Sequence, residues 1–334
     1  MFKTTSSGSP EFGRSCKLLV ALLVTSMAAL SQAAEFPERT VEMVVGVGPG
    51  GGTDMLGRTF AKKLNEVWQQ PVVVENKPGA GGIIGAQTVM KAPATGYTLL
   101  MNSDQTLAAQ FLYKRPDYEP LKQLAPIAYL GRQPYVFVVH PSVPVNNVPE
   151  LIALMKSKKA KGESFGFATS ALGSADHLSG ELFRIAAGVD MLVVPYKSST
   201  LALTDVVAGH LPFDIAPLAT TLPYIKAGRL RALGITTSKR SKLLPDLPTV
   251  SETLPGFETG VWYGLWAPAG TPARIIEKIN ADVQQINNSA DVQSFMEKNG
   301  YETLTMNAAE YADFVKKEST KIDQLIRKAN VKLE

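Results

Sequence analysis

At 334 residues, 45% hydrophobic and 19% charged, the chain can fill two globular domains and has the composition of neither a disordered nor a fibrous protein. A formal charge of +4 implies neither nucleic acid nor an acidic membrane as a partner, and the single cysteine excludes a disulfide framework or a thiolate cluster. Three scattered histidines lack metal-ligand spacing, so no metal and no cofactor is expected.

Arg14 and Lys17 precede an apolar stretch from Leu18 to Leu30, and Ser31, Gln32, Ala33 and Ala34 follow it. That order reads as a secretory signal peptide over residues 1–34, with SSGSPEFG as a linker or vector-derived leader. The run is short for a membrane span. Cys16 lies before it, so it is no lipoprotein attachment site, and a mature chain without cysteine suits a bacterial periplasm.

The first motif of the mature chain is VEMVVGVGPGGGTDMLGR, Val41 to Arg58. Its apolar run predicts a strand covered on both faces, its glycines a loop whose backbone approaches a ligand, and Thr53 and Asp54 the caps of a helix reaching about Gln69. A helix N-terminus there offers unpaired N–H groups to an anion. PVVVEN predicts a second buried strand, and NKPGAGGIIGA a second glycine loop opening a second helix. YTLLMNSDQTLAAQ repeats the design, and three such loops at strand C-termini mark a ligand site in an open α/β sheet.

From Pro126, IAYLGRQPYVFVVHP predicts a long strand, and Val148 to Lys158 a helix with solvent-facing lysines. Two further strand-to-helix turns carry Ser170, Ser174, Asp176 and His177, then Tyr196, Lys197, Ser198, Ser199 and Thr200. They belong to a second domain facing the first. A proline-rich loop, the strand VWYGLWAPAG and three helices, Pro272 to Asn287, Asp291 to Asn299 and Ala308 to Ala329, complete the chain.

Two enzyme readings compete with a binding role. Gly46, Gly48 and Gly51 spell G-x-G-x-x-G, with Glu75 placed as a ribose-binding acid, but the export signal takes the chain away from nicotinamide cofactors. Ser170 with His177 and Asp176 or Asp214 has the residue types of an exported hydrolase of carboxylate esters, without a G-x-S-x-G elbow. The blander reading has Ser170 and Ser174 offer hydroxyls to a ligand or cap a helix while His177 orients the loop. Trp262, Tyr263 and Trp266 read as core and hinge packing, with one ring available to wall a pocket.

Taken together, VGPGGGTDMLGR, VVVENKPGAGGIIGA, FATSALGSADHL, VPYKSSTLALTDVVAG, IKAGRLRALGITT, LPDLPTVSETLPGFE and WYGLWAPAGTPARIIEKIN resemble the Bug-type receptors of tripartite tricarboxylate transporters over the whole mature chain. The resemblance implies the type II periplasmic-binding-protein fold: two α/β domains, about residues 35–138 plus 259–334 and about 139–258, joined by two crossing strands with a ligand cleft between them. It implies a non-enzymatic, monomeric periplasmic receptor that hands a carboxylate to membrane permease subunits. The implied ligand set is Gly50, Gly51, Thr53, Asp54, Gly82, Ile83, Ser103, Thr106, Ser170, Ser174, His177, Tyr196, Lys197, Ser199 and Asp214. Lys197 is the one full cation in these loops, so N–H and O–H dipoles are expected to carry the anion. Loops on both faces favour a dicarboxylate, and Gly46 and Gly48 leave room for an aliphatic or aromatic body. Asp104 and Gln105 depart from the small neutral residues usual in the third loop. Pointing outward, Asp104 caps a helix; pointing inward, it would pair with the ammonium of an acidic amino acid.

Overall fold

The computed structural model describes residues 1, 3, 36–113 and 115–331. Apart from its first and third positions, the expected signal peptide, with Cys16, lies outside the described residues. Contacts divide the chain into Met1–Arg39 and Thr40–Glu334, and every described helix and strand belongs to the second unit. Among the described residues no helix is long and apolar enough to cross a membrane.

The valine run forms β1 (Val41–Val45), which pairs in parallel with β2 (Val72–Asn76) on one side and β3 (Thr98–Ser103) on the other. Helix α1 (Gly52–Trp68) returns the chain between β1 and β2, burying the stripe Leu56, Phe60, Leu64 and Trp68. A 3-10 turn (Ala80–Gly82) leads into α2 (Ile83–Met90). Strand β2 corrects the sequence reading, because it is the edge of the sheet and Val73 is 52% exposed. Three valines in a row signal a strand without fixing its place in a sheet.

After α3 (Gln105–Leu112) and α4 (Pro120–Gln123) comes β4 (Leu124–Val139), which serves two halves of the sheet. Leu124 to Pro134 pair antiparallel with β9 (Gly260–Pro268), which also pairs with β3. Tyr135 to Val139 pair instead with β7 (Phe213–Pro217) and β8 (Arg231–Ile235). Strands β5 (Gly166–Thr169) and β6 (Leu192–Pro195) extend the second half, giving the order β2-β1-β3-β9-β4-β7-β5-β6 with β8 also on β4.

Helices α5 (Val148–Ala160), α6 (Ala175–Ala187), α7 (Ser199–Val207) and α8 (Leu218–Lys226) alternate with the strands of the second half. After β9, helices α9 (Ala273–Asn287), α10 (Ala290–Lys298) and α11 (Ala308–Ala329) follow. Asn307 and Glu310 form a reciprocal capping box that starts α11, and Trp68 Nε1 donates to Asp282 Oδ2 at 2.6 Å, tying α1 to α9. One core gathers Val44, Leu100, Tyr118, Trp262, Trp266 and Tyr311, and another Val136, Val138, Leu203, Val206 and Ile235. Leu178 of α6 joins the first of these, so the second half of the sheet presses a helix into the core of the first.

The tightest place in that core is Gly264 of β9, where an added Cβ would collide with the Tyr311 hydroxyl and lie 3.1 Å from Ala128 O. Gly264→Ala is expected to destabilise the fold by about 1–3 kcal/mol or more through overpacking. Because the Tyr311 hydroxyl has no hydrogen-bond partner, Tyr311→Phe should restore part of that loss in the double variant. Urea unfolding of the two single variants and the double variant checks this; additive losses would show that Tyr311 is not the obstacle.

Candidate ligand-binding site

Loops at the ends of β1, β3, β5, β6 and β7, with the turn before α2, wall one cavity of about 890 Å³. On the first wall, Gly50 sits at φ +86°, and its N–H donates to Asp54 Oδ2 at 3.0 Å. The same oxygen accepts from Arg58 Nε at 3.0 Å, and Oδ1 accepts from Asn76 Nδ2 at 2.8 Å. Thr53 and Asp54 are therefore not the caps of α1. Gly51 holds the N-cap position without a side-chain cap, and Asp54 ties the glycine loop to the first turn. Burial opposes ionisation of Asp54, but the donors around it outweigh burial and hold its carboxyl below the usual range. The first-turn amides at Gly52 and Thr53, which have no intrahelical acceptor, lie on the cavity wall.

A side chain at Gly46 would meet Asn102 Nδ2 at 2.7 Å, and one at Gly82 would meet it at 2.9 Å. The room expected for a ligand body at Gly46 is thus filled by the Asn102 amide, which is fully buried with neither polar atom partnered. A methyl group at Gly48, by contrast, would meet nothing within 4 Å, so that position is open. In the third loop Ser103 and Gln105 reach the cavity, and Ser103 Oγ accepts from Gln105 N–H at 3.3 Å. Asp104 does neither of the things expected of it. It occupies the N-cap position of α3 without capping, its buried Oδ1 has no partner, and burial followed by the charge of Glu318 pushes its carboxyl well up.

On the second wall the loop after β5 closes around Asp176. Ser170 Oγ donates to Asp176 Oδ1 at 2.7 Å, while Ser170 N–H at 2.6 Å and Thr169 Oγ1 at 2.8 Å donate to Oδ2. Ser174 Oγ donates to Ala171 O at 2.6 Å and makes no side-chain cap on α6. Both serines line the cavity with their protons turned into their own loop, which corrects the expectation that these hydroxyls face an anion. His177 is buried behind them with Nδ1 accepting from Gly173 N–H at 3.0 Å, and burial lowers its pKa. Among the described residues no hydrogen bond joins either serine to the imidazole.

The loop after β6 carries Tyr196 and Lys197 and ends at Ser198, which caps α7 by accepting from Leu201 N–H at 3.3 Å. Tyr196 donates to Asp205, and burial helps push its hydroxyl up to about 12. At the mouth the walls touch: Thr200 Oγ1 donates to Gly50 O at 3.3 Å.

Of the implied set, Gly51, Thr53, Gly82, Ser103, Ser170, Ser174, Tyr196, Lys197 and Ser199 line the cavity. Gly50, Asp54, Ile83, Thr106, His177 and Asp214 do not, and all of these but Gly50 are buried. Asp214 is held up in pKa by burial, then by the nearby Asp176. The lining residues with charged side chains are Lys197 and Asp176. Sequence reasoning did not single out Tyr113, Tyr135, Leu172 and Leu201; Leu172 and Leu201 lie inside the motifs FATSALGSADHL and VPYKSSTLALTDVVAG, whereas Tyr113 and Tyr135 lie outside the glycine and polar loops, and Tyr263 is the ring that walls the pocket.

Because Asp54 shapes the glycine loop through three donors, Asp54→Ala is expected to lose about 1–3 kcal/mol of stability at pH 7. A carboxyl with a lowered folded-state pKa stabilises above its unfolded pKa and loses that contribution as pH falls through the folded value. The gap between wild type and Asp54→Ala should therefore narrow below about pH 4, as read by urea unfolding at two pH values. A gap unchanged at low pH would mean that the ionised carboxylate is not the organising group.

The family model described as "Tripartite tricarboxylate transporter family receptor" matches residues 56–331. A protein from the tcbD-tcbE intergenic region of Pseudomonas sp. strain P51 is 34% identical over 310 residues, 92% of this chain and 91% of that one. BugT of Bordetella pertussis is 36% identical over 280 residues, covering 83% and 85% of the two chains. Among solved structures, an R. palustris protein with adipate superposes with a TM-score of 0.84 at 33% identity, over 89% of this chain and 99% of that one. The periplasmic binding protein BugD gives 0.83 at 34%, over 90% and 100%. MatC from Rhodopseudomonas palustris with bound malate gives 0.80 at 30%, over 87% and 100%. These neighbours share the curled, two-part α/β architecture of periplasmic binding proteins. The chain belongs to the tripartite tricarboxylate transporter receptor family, of the Bug type.

Proposed function

We propose that this chain is a periplasmic solute receptor that captures a small organic dicarboxylate and delivers it to the membrane permease of a tripartite transporter. The observation that carries the reading is one cavity faced from opposite walls by the first turns of α1 and α7, with Lys197 as its cation. Unpaired amides and hydroxyls replace the hydration that a carboxylate loses on entering such a cleft. Relatives 33% and 30% identical that hold adipate and malate support a ligand of this class.

The two lobes, about residues 35–138 plus 259–334 and about 139–258, close over the ligand. The hinge lies where β4 changes partners, near Tyr135 to His140, and where the chain re-enters β9, near Gly260 to Trp266.

Calorimetric titration with aliphatic and aromatic dicarboxylates and with monocarboxylates is expected to give saturable one-to-one binding by dicarboxylates, with no turnover of an activated ester. Ester turnover without saturable binding would replace the receptor by a hydrolase, and tight binding of a simple monocarboxylate with dicarboxylates excluded would end the two-carboxylate idea. Small-angle scattering should give a smaller radius of gyration with saturating ligand, and identical dimensions in both states would overturn the closure.

A further inference from the structure

We infer that Asp176 reads a hydrogen-bond donor on the ligand, so that the site prefers a hydroxy- or amino-substituted dicarboxylate to the unsubstituted chain. The inference rests on the proposed carboxylate receptor and narrows its substrate class.

Asp176 is 5% exposed and lines the cavity. Its carboxylate is fixed by Ser170 N–H and Thr169 Oγ1 on Oδ2 and by Ser170 Oγ on Oδ1. A carboxylate offers about four acceptor positions, so Oδ1, with one donor, keeps a position for another. The same arrangement closes the loop after β5 to a ligand anion. Ser170 N–H and the Ser170 and Thr169 hydroxyls are already committed to Asp176, and a ligand carboxylate brought to the first-turn amides of α6 beside it would meet a like charge. The ligand carboxylates are left to the first turn of α1 on one wall and to Lys197 and the first turn of α7 on the other. What faces Asp176 must then carry an O–H or N–H.

The experiment is calorimetry on wild type and Asp176→Asn with ligands matched in carbon skeleton: succinate, malate and aspartate, then adipate and 2-aminoadipate. Wild type is expected to bind the substituted member of a set about ten- to a hundredfold tighter than the plain one, the value of a hydrogen bond to a charged group. In Asp176→Asn that preference should collapse, read as the ratio of affinities within each matched set whatever the absolute affinities become. A carboxylate that only shapes its loop would leave the preference where it was. Equal affinities within every set in wild type overturn the inference alone, and that comparison stands even if the variant does not fold. Persistence of the preference in a folded Asp176→Asn overturns it as well, whereas failure of every carboxylate to bind overturns the receptor proposal on which it rests.

Discussion

The structure depends on one strand having two sets of partners. Up to Pro134, β4 belongs with β9, and from Tyr135 it belongs with β7 and β8. The change falls at a proline, which has no N–H to give to a ladder, so pairing can end there without orphaning a donor. Thr236 secures the junction. Its hydroxyl accepts from Tyr135 N–H at 2.9 Å and donates to Thr259 O at 2.7 Å, while its own N–H donates to Tyr135 O at 3.0 Å. One side chain thus holds together both segments that pass between the halves of the sheet. Gly260 completes the crossing, since a Cβ there would lie 2.8 Å from Gln133 O.

Around that junction the first and fourth loops are built on a common plan. In each, a carboxylate in the first turn of the following helix reaches back to a backbone N–H of the loop: Asp54 to Gly50, and Asp176 to Ser170. The protein's own anion orders the backbone before any ligand arrives. The difference lies in where the anion ends up. Asp54 turns away from the cavity, leaving the neighbouring amides to the interior, whereas Asp176 stays on the wall. Loops that look alike in sequence thereby present opposite electrostatic faces to a ligand.

How much of this was legible in the sequence follows from which forces set each feature. Periodic apolar runs and glycine or polar turns located the strands, the helices and the loops that converge, because burial and backbone freedom act locally. The edge position of β2 was hidden, since it depends on what lies beside the strand rather than within it. The roles of Thr53, Ser170 and Ser174 were also hidden: a hydroxyl near a helix start can cap, face a ligand or bond its own loop, and only the position of Asp54 and Asp176 decides among them. Asp104 shows the same limit. Its residue type suggests a cap, yet packing of α3 buries it beside Glu318 with no capping bond.

Asn102 lies one layer deeper than the cavity wall. Its side chain is fully buried, and Gly46 and Gly82 are the residues whose missing Cβ atoms make space for it. Two glycines that suggest a backbone opened toward a ligand are, in this fold, opened toward an amide behind them. Any side chain at either position would push on Asn102 or displace the loop into the cavity, so the shape of the first wall is set from behind by an amide whose own polar atoms find no partner. Glycine richness in such loops therefore has two separate causes, close packing on the inner side and access on the outer. Gly48, where a Cβ would find no neighbour within 4 Å, is the position at which access alone explains the residue.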